Sequence, residues 1–213
     1  MDFNNTDPKI DNIINTGYDI GMIQVYDELY RAIEFLMDKE VKTFLEIGTN
    51  NGGSFACWIL TFKPELGISI DLPNGDFGTN NFNELDRNNR LSQFDCQSHF
   101  ISGDSQDPLN LIEVEKILNG KKIDFLFIDG DHTENGVTRD FFLYKHLVRD
   151  GGWIGFHDIK VTPFHHSVNC RVDLFWEKLS GDKVEFTNYQ HQTCGIGIVQ
   201  KNDSLKYCGI KVV

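Results

Sequence analysis

The sequence predicts an α/β fold on a mostly parallel sheet, and three observations predict it. Apolar runs of strand length recur along the chain, helix-like stretches lie between them, and two of the runs pass directly into Gly or Asp. Runs of that kind read as strands buried on both faces, and strands alternating with helices pair in parallel. The 213 residues fit one domain, 1–213.

Taken in order, residues 1–21 read as an N-terminal extension. It is long enough to reach a neighbouring subunit in a homo-oligomer. Over 22–40, Ile23, Leu29, Ile33, Leu36 and Met37 recur at three- and four-residue spacing between charged residues, which predicts an amphipathic helix. Residues 43–47, 68–72, 123–128 and 153–156 read as strands, and 54–63, 108–119 and 137–149 as helices. The last of these carries a basic final turn and then Asp150-Gly151-Gly152, a helix stop. Residues 73–97 are polar and Asn-rich, an insertion in which 83–94 alone has helical character. Residues 171–179 are helix-like, with Phe175 and Trp176 as core. Residues 183–187 and 195–200 then predict an antiparallel hairpin closing the sheet.

Composition narrows the function. With 40% hydrophobic residues and 17 Phe the chain can bury a core, and a formal charge of -12 repels phosphate backbones and anionic headgroups. Nucleic acid and membrane are therefore not expected partners. The five cysteines are widely spaced without C-x-x-C, and read as reduced thiols. The first residues are polar and acidic, and no apolar run approaches the roughly 18 residues of a membrane span, so a cytoplasmic location is expected.

Three segments carry chemistry. In the first, an apolar strand ends at Gly48 and the Gly52-Gly53-Ser54 turn opens a helix. Glycines there let backbone approach a ligand, and the helix start offers unpaired N–H groups. The spacing G-x-x-x-G-G departs from the dinucleotide fingerprint, and the Glu46 carboxylate disfavours a pyrophosphate, so a neutral or cationic cofactor fits better. Asp71, ending the next strand, is placed for ribose hydroxyls. The second segment is Asp129-Gly130-Asp131-His132-Thr133 and the third is Phe156-His157-Asp158, each at a strand end. Ligands collect outside the carboxyl ends of such strands, and two carboxylates with one or two imidazoles suffice for a divalent ion.

The E-x-G-x-x-x-G-G-S run at 46–54, Asp71, Gly103-Asp104-Ser105, D-G-D-H-T at 129–133 and G-G-W-I-G-F-H-D at 151–158 together resemble a class I S-adenosylmethionine-dependent methyltransferase. The resemblance is closest to the branch with cephalosporin-hydroxylase-like proteins and metal-dependent sugar O-methyltransferases, and it covers residues 22–200. It implies a Rossmann-like, doubly wound, mostly parallel seven-stranded sheet. It implies that Glu46, Gly48, Thr49, Gly52, Gly53 and Ser54 border the cofactor, with Asp71 on its ribose, Asp104 and Ser105 at its adenine, and Asp129 beside it. His132 would be the general base, and Asp129, His157 and Asp158 the metal ligands. The sugar enzymes usually have an acid where this chain has His157.

Methyl transfer from a sulfonium is an in-line displacement, so alignment and a more nucleophilic acceptor oxygen are what the residues must supply. Oxygen ligands from Asp129 and Asp158 favour Mg²⁺, Mn²⁺ or Ca²⁺, with Mg²⁺ expected, and an imidazole from His157 tilts the choice toward Mn²⁺ or another transition ion. The expected partner is a small polar acceptor, a sugar or glycoside hydroxyl. The insertion and the loop at 161–166 are placed to cover the cofactor or select the acceptor. His165 and His166, adjacent in that loop and able to serve as extra ligands, read as solvated. Left open beside this are a metal-dependent hydrolase using the Asp/His cluster, an NAD-binding oxidoreductase lacking its Gly spacing, and a non-catalytic cofactor-binding protein.

Overall fold

The computed structural model describes residues 6–72, 84–160, 162–188 and 194–209. The first part of the polar insertion, 73–83, and Val161 of the loop lie outside the described residues.

The chain enters through α1 (Pro8–Ile20) and α2 (Tyr26–Leu36). β1 (Thr43–Ile47), α3 (Gly53–Phe62), β2 (Leu66–Asp71), α4 (Glu84–Leu91), β3 (Gln97–Ser102), α5 (Pro108–Leu118), β4 (Ile123–Ile128), α6 (Glu134–Tyr144) and β5 (Val148–His157) follow, alternating as expected. Then come α7 (Pro163–Ser167), α8 (Val172–Lys178), β6 (Leu179–Ser180), β7 (Lys183–Phe186), β8 (Ile196–Gln200) and β9 (Lys206–Tyr207).

Seven of these strands form one sheet in the order β3-β2-β1-β4-β5-β8-β7. The pairs from β3 through β5 are parallel, and β8 joins β5 and β7 antiparallel, so the predicted hairpin closes the sheet. β6 and β9 pair separately. Side chains alternate between two apolar layers. Leu45, Ile47, Leu126 and Ile128 face the layer with Val137, Phe141 and Phe175, whereas Phe44, Phe125 and Phe127 face Phe55, Trp58 and the two N-terminal helices. No helix among the described residues is long and apolar enough to cross a membrane.

The structure differs from the sequence reading in four places. Residues 8–20, read as part of an extension, are helical: Asp7 caps the start, Gly21 at φ 108 ends it, and Ile10, Ile13, Ile14 and Gly17 are buried. That spacing is itself helical and is the signal that could find it. α1 packs on α3 so closely that a Cβ at Gly17 would lie 2.6 Å from Cys57 Sγ. The amphipathic helix begins at Tyr26 rather than at 22, because Gly21 turns the chain first, and Ile23 is left 74% exposed. The helix expected over 137–149 runs from Glu134, capped by Thr133, only to Tyr144. Val148 is already paired with Ile123, so β4 draws Asp150-Gly151-Gly152 into β5 instead of a helix stop. Finally, β3 has no apolar run to announce it; it is an edge strand, mostly half-exposed.

α2 also ties the late chain to the early one. The fully buried Glu28 carboxylate accepts the backbone N–H of Gly195 at 2.9 Å and of Asn188 at 3.4 Å, holding the residues just after β7 and just before β8 against α2.

Candidate functional site

The order of the sheet reverses between β1 and β4, and the crevice outside their carboxyl ends is where such folds bind ligands. A cleft of about 830 Å³ lies there, lined from Gly48 through Asn51, by Asp71, Asp104, Ser105 and Gln106 on one side and by Asp129, His132, His157 and Asp158 on the other.

The strand ends meet without space for side chains. Gly48 N–H bonds Ile70 carbonyl at 2.9 Å, Asp129 N–H bonds Ile47 carbonyl at 2.8 Å, and a Cβ at Gly48 would run into the Asp129 carbonyl oxygen. At φ 84, position 48 also calls for glycine. Asp71 Oδ1 accepts the N–H groups of Thr49 at 3.1 Å and Asn50 at 3.2 Å, and Oδ2 pairs with Arg87 at 2.8 Å. The acid expected at the ribose therefore also pins the glycine loop, with α4 bringing a buried guanidinium behind it. Burial raises its carboxyl, partly offset by those hydrogen bonds and Arg87.

Gly53, Ser54 and Thr49 line the same wall, but Glu46 and Gly52 stand behind it. Position 46 faces α3, is wholly buried, and has both carboxylate oxygens without a hydrogen-bond partner among the described residues. Burial pushes its carboxyl up to about 8, with nearby Ser54, Thr49 and Trp58 working against the shift. Gly52 is packed on Leu91. At the far end, Ser105 donates to Asp140 Oδ1 at 2.7 Å and accepts Tyr144 hydroxyl at its carbonyl at 2.6 Å, while Asp104 caps the Gln106 amide at 2.8 Å.

The D-G-D-H-T segment divides its labour. Asp131 accepts the Thr133 amide at 2.9 Å and Thr133 caps α6, leaving Asp129 and His132 to the cleft. His132 Nδ1 lies 3.0 Å from Asp158 Oδ2 and Nε2 lies 3.3 Å from Asp129 Oδ1. His157 Nδ1 sits between Asp129 Oδ1 at 3.2 Å and Asp158 Oδ1 at 3.3 Å, and its buried Nε2 has no partner among the described residues. Asp158 occupies the left-handed region at φ 59, which turns its carboxylate back into the cluster. All four residues singled out at the strand ends thus converge.

Electrostatics there are steep. Burial favours neutral forms throughout, but for Asp129 and Asp158 the His157 charge and the imidazole hydrogen bonds outweigh it and hold both carboxyls below their usual range. The reciprocal effect lifts His132 and His157 well above the usual imidazole value despite their burial.

Further residues complete the site. Gln24, before α2, donates to Asp129 Oδ2 at 2.7 Å across 105 positions of sequence. His165 is buried and not solvated; Thr162 N–H donates to its Nδ1 at 3.0 Å, leaving the proton on Nε2, which faces Asp158 Oδ1 at 3.2 Å. Cys170 groups with His132 and Asp158, and Cys194 with His157 and Asp158. Exposed Ile23, Phe164 and Val168 line the mouth beside this cluster.

Comparison with known proteins agrees with this geometry. A family described as a methyltransferase domain matches residues 45–159, from β1 to the residue after Asp158. An uncharacterised protein of Acanthamoeba polyphaga mimivirus is 34% identical over 159 residues, 74% of this chain and 69% of that protein. Among solved structures, the MycE methyltransferase of the mycinamycin biosynthetic pathway, in complex with Mg, SAH and mycinamycin VI, is similar at TM-score 0.52 and 17% identity. That likeness covers 97% of this chain but only 58% of MycE. An O-methyltransferase from Bacillus cereus in complex with SAH is similar at TM-score 0.53 and 15% identity, over 94% of each chain. At such identities the two structures speak for the fold.

Proposed function

The chain belongs to the methyltransferase-domain family of S-adenosylmethionine-dependent enzymes, and from that premise we propose that it transfers a methyl group to an oxygen of a small polar acceptor, a sugar or glycoside hydroxyl, assisted by a divalent ion. The observation that carries this reading is the His132–Asp158 pair, 3.0 Å apart, at the opposite side of the cleft from Asp71 and Ser105. It puts a general base and a cofactor cradle in one crevice.

S-adenosylmethionine fits the cradle, because Gly48 leaves backbone where a Cβ cannot stand and the loop after it is pinned open by Asp71; it supplies the methyl group as a sulfonium. Thr49 and Asn50 hold the loop against the methionine side, and Ser105, anchored on α6, bounds the adenine side. Asp129, His157 and Asp158 would hold the divalent ion, whose positive charge lowers the pKa of an acceptor hydroxyl. Asp158 orients the His132 ring through Nδ1, and Nε2 faces Asp129. With a cation on Asp129 and Asp158, the carboxylate pull that keeps the ring protonated is relieved, and Nε2 can take the acceptor proton. Gln24 holds the second oxygen of Asp129, so the carboxylate does not rotate away. MycE, of similar fold, was solved with Mg, SAH and mycinamycin VI, which is in keeping with a divalent ion in this reading. Family membership sets aside the hydrolase and oxidoreductase readings.

Calorimetric titration with S-adenosylmethionine, with NAD as control, followed by transfer of labelled methyl to a panel of glycosides, tests the proposal. His132→Ala is expected to lower transfer about 10²–10⁴-fold with cofactor affinity unchanged. Full transfer by that variant, or no cofactor binding by the native chain, would overturn it.

A further inference from the structure

The ion site is richer in nitrogen and sulfur than an Mg²⁺ site needs to be. One nitrogen, His157 Nδ1, faces two carboxylate oxygens at 3.2 and 3.3 Å, yet it can present only one proton. The ring keeps Nδ1 there although Nε2 is left buried without a partner among the described residues. Spacings of this size are those between adjacent ligands on an ion with bonds of roughly 2.0–2.3 Å. The cluster then gains a thiol: ligand-capable atoms of His157, Asp158 and Cys194 all lie within 4.8 Å of one another. His165 is not a further ligand, since the Thr162 amide at its Nδ1 leaves a proton, not a lone pair, toward Asp158.

We propose that this centre takes a thiophilic divalent transition ion of the Zn²⁺, Fe²⁺ or Co²⁺ class, with Cys194 as its sulfur ligand beside Asp129, His157 and Asp158. The inference rests on the divalent-ion part of the proposed function and names which ion. Mg²⁺ prefers oxygen and retains its water, whereas thiolate and imidazole together select later transition metals. On binding, the S–H bond breaks, an ion–sulfur bond forms, and the proton leaves to solvent.

The test is a Co²⁺ titration of chelator-treated protein, read by absorption, with no acceptor present. A saturable thiolate-to-cobalt charge-transfer band is expected, displaced by Zn²⁺ and not by excess Mg²⁺. Cys194→Ser should abolish the band and weaken Zn²⁺ binding about a hundredfold, while Cys208→Ser, at the exposed Cys208, changes neither. Bound Co²⁺ without the band in the native chain overturns the proposal without reference to any variant. So does displacement by Mg²⁺ at comparable concentration, or a band that survives Cys194→Ser and vanishes in Cys170→Ser. Calorimetry with S-adenosylmethionine on the same samples separates the two readings: cofactor binding without the cobalt band removes this inference alone, and the band without cofactor binding removes the methyltransferase reading alone.

Discussion

Asp140 is the residue whose chemistry reaches furthest beyond its own contacts. Its carboxyl is wholly buried in α6, with Oδ1 on Ser105 and Oδ2 without a partner among the described residues. Burial, with some help from the Asp131 and Asp104 charges and against the Ser105 hydrogen bond, raises it from 3.8 to about 7. A carboxyl raised in the native state contributes stability that is complete below the unfolded value and lost as pH rises through the native one. Between about pH 4 and 7 the chain therefore becomes less stable on this account, by roughly 4 kcal/mol at most at about 1.4 kcal/mol per unit. Asp140→Asn, which keeps an oxygen for Ser105, should flatten that slope and stabilise the protein at pH 8 relative to pH 5 in urea unfolding. An unchanged slope would mean that the native carboxyl is ionised. The same scale shows what a sequence can disclose about a site. Asp129, His132, His157 and Asp158 were legible because each follows an apolar strand, and strand ends converge by topology alone. Gln24 was not, because what places it is packing of a segment remote in sequence, and it stands in no local pattern of its own. His165 was visible in the loop but read as solvated, since nothing local shows that α7 buries it.

Among elements, the strands and the helices of the parallel half could be read because burial on both faces writes itself as a continuous apolar run. β3 escaped, being an edge strand with only Ile101 buried, and the end of α6 was overrun because the pairing of Val148 with Ile123 overrides local helical preference. α1 has its pattern in the sequence, and its role lies in what it touches. A Cβ at Gly17 would meet Cys57 Sγ at 2.6 Å and Gly53 carbonyl at 3.1 Å, on the helix that the glycine loop opens. Gly17→Ala should therefore gain helix propensity and still lose about 1–3 kcal/mol through overpacking. The loss should appear in chemical denaturation together with weaker S-adenosylmethionine binding, since α3 carries the loop at its N-terminus. A stabilised variant with native affinity would show instead that α1 shifts freely on α3.

At the scale of the whole molecule, the crevice draws on both ends of the chain. The parallel half contributes the glycine loop and the Asp71 wall, whereas the Asp/His cluster is completed by Gln24 before α2, by α7, and by Cys194 at the entry to β8. Sequence order conceals this, and the match over residues 45–159 contains neither Gln24 nor Cys194. The joint between those remote parts is the buried Glu28 carboxylate, which holds the Gly195 amide at 2.9 Å. Gly195, and Cys194 beside it, cannot swing outward without giving up that bond to a fully buried carboxylate. The amide hydrogen of Gly195 consequently keeps time for this side of the crevice: it can exchange with deuterium only when Gly195 parts from Glu28. Its exchange should slow when the crevice fills and quicken in Glu28→Gln, so that one proton reports how often the enzyme opens. Equal exchange in all three states would mean that acceptors enter by another route.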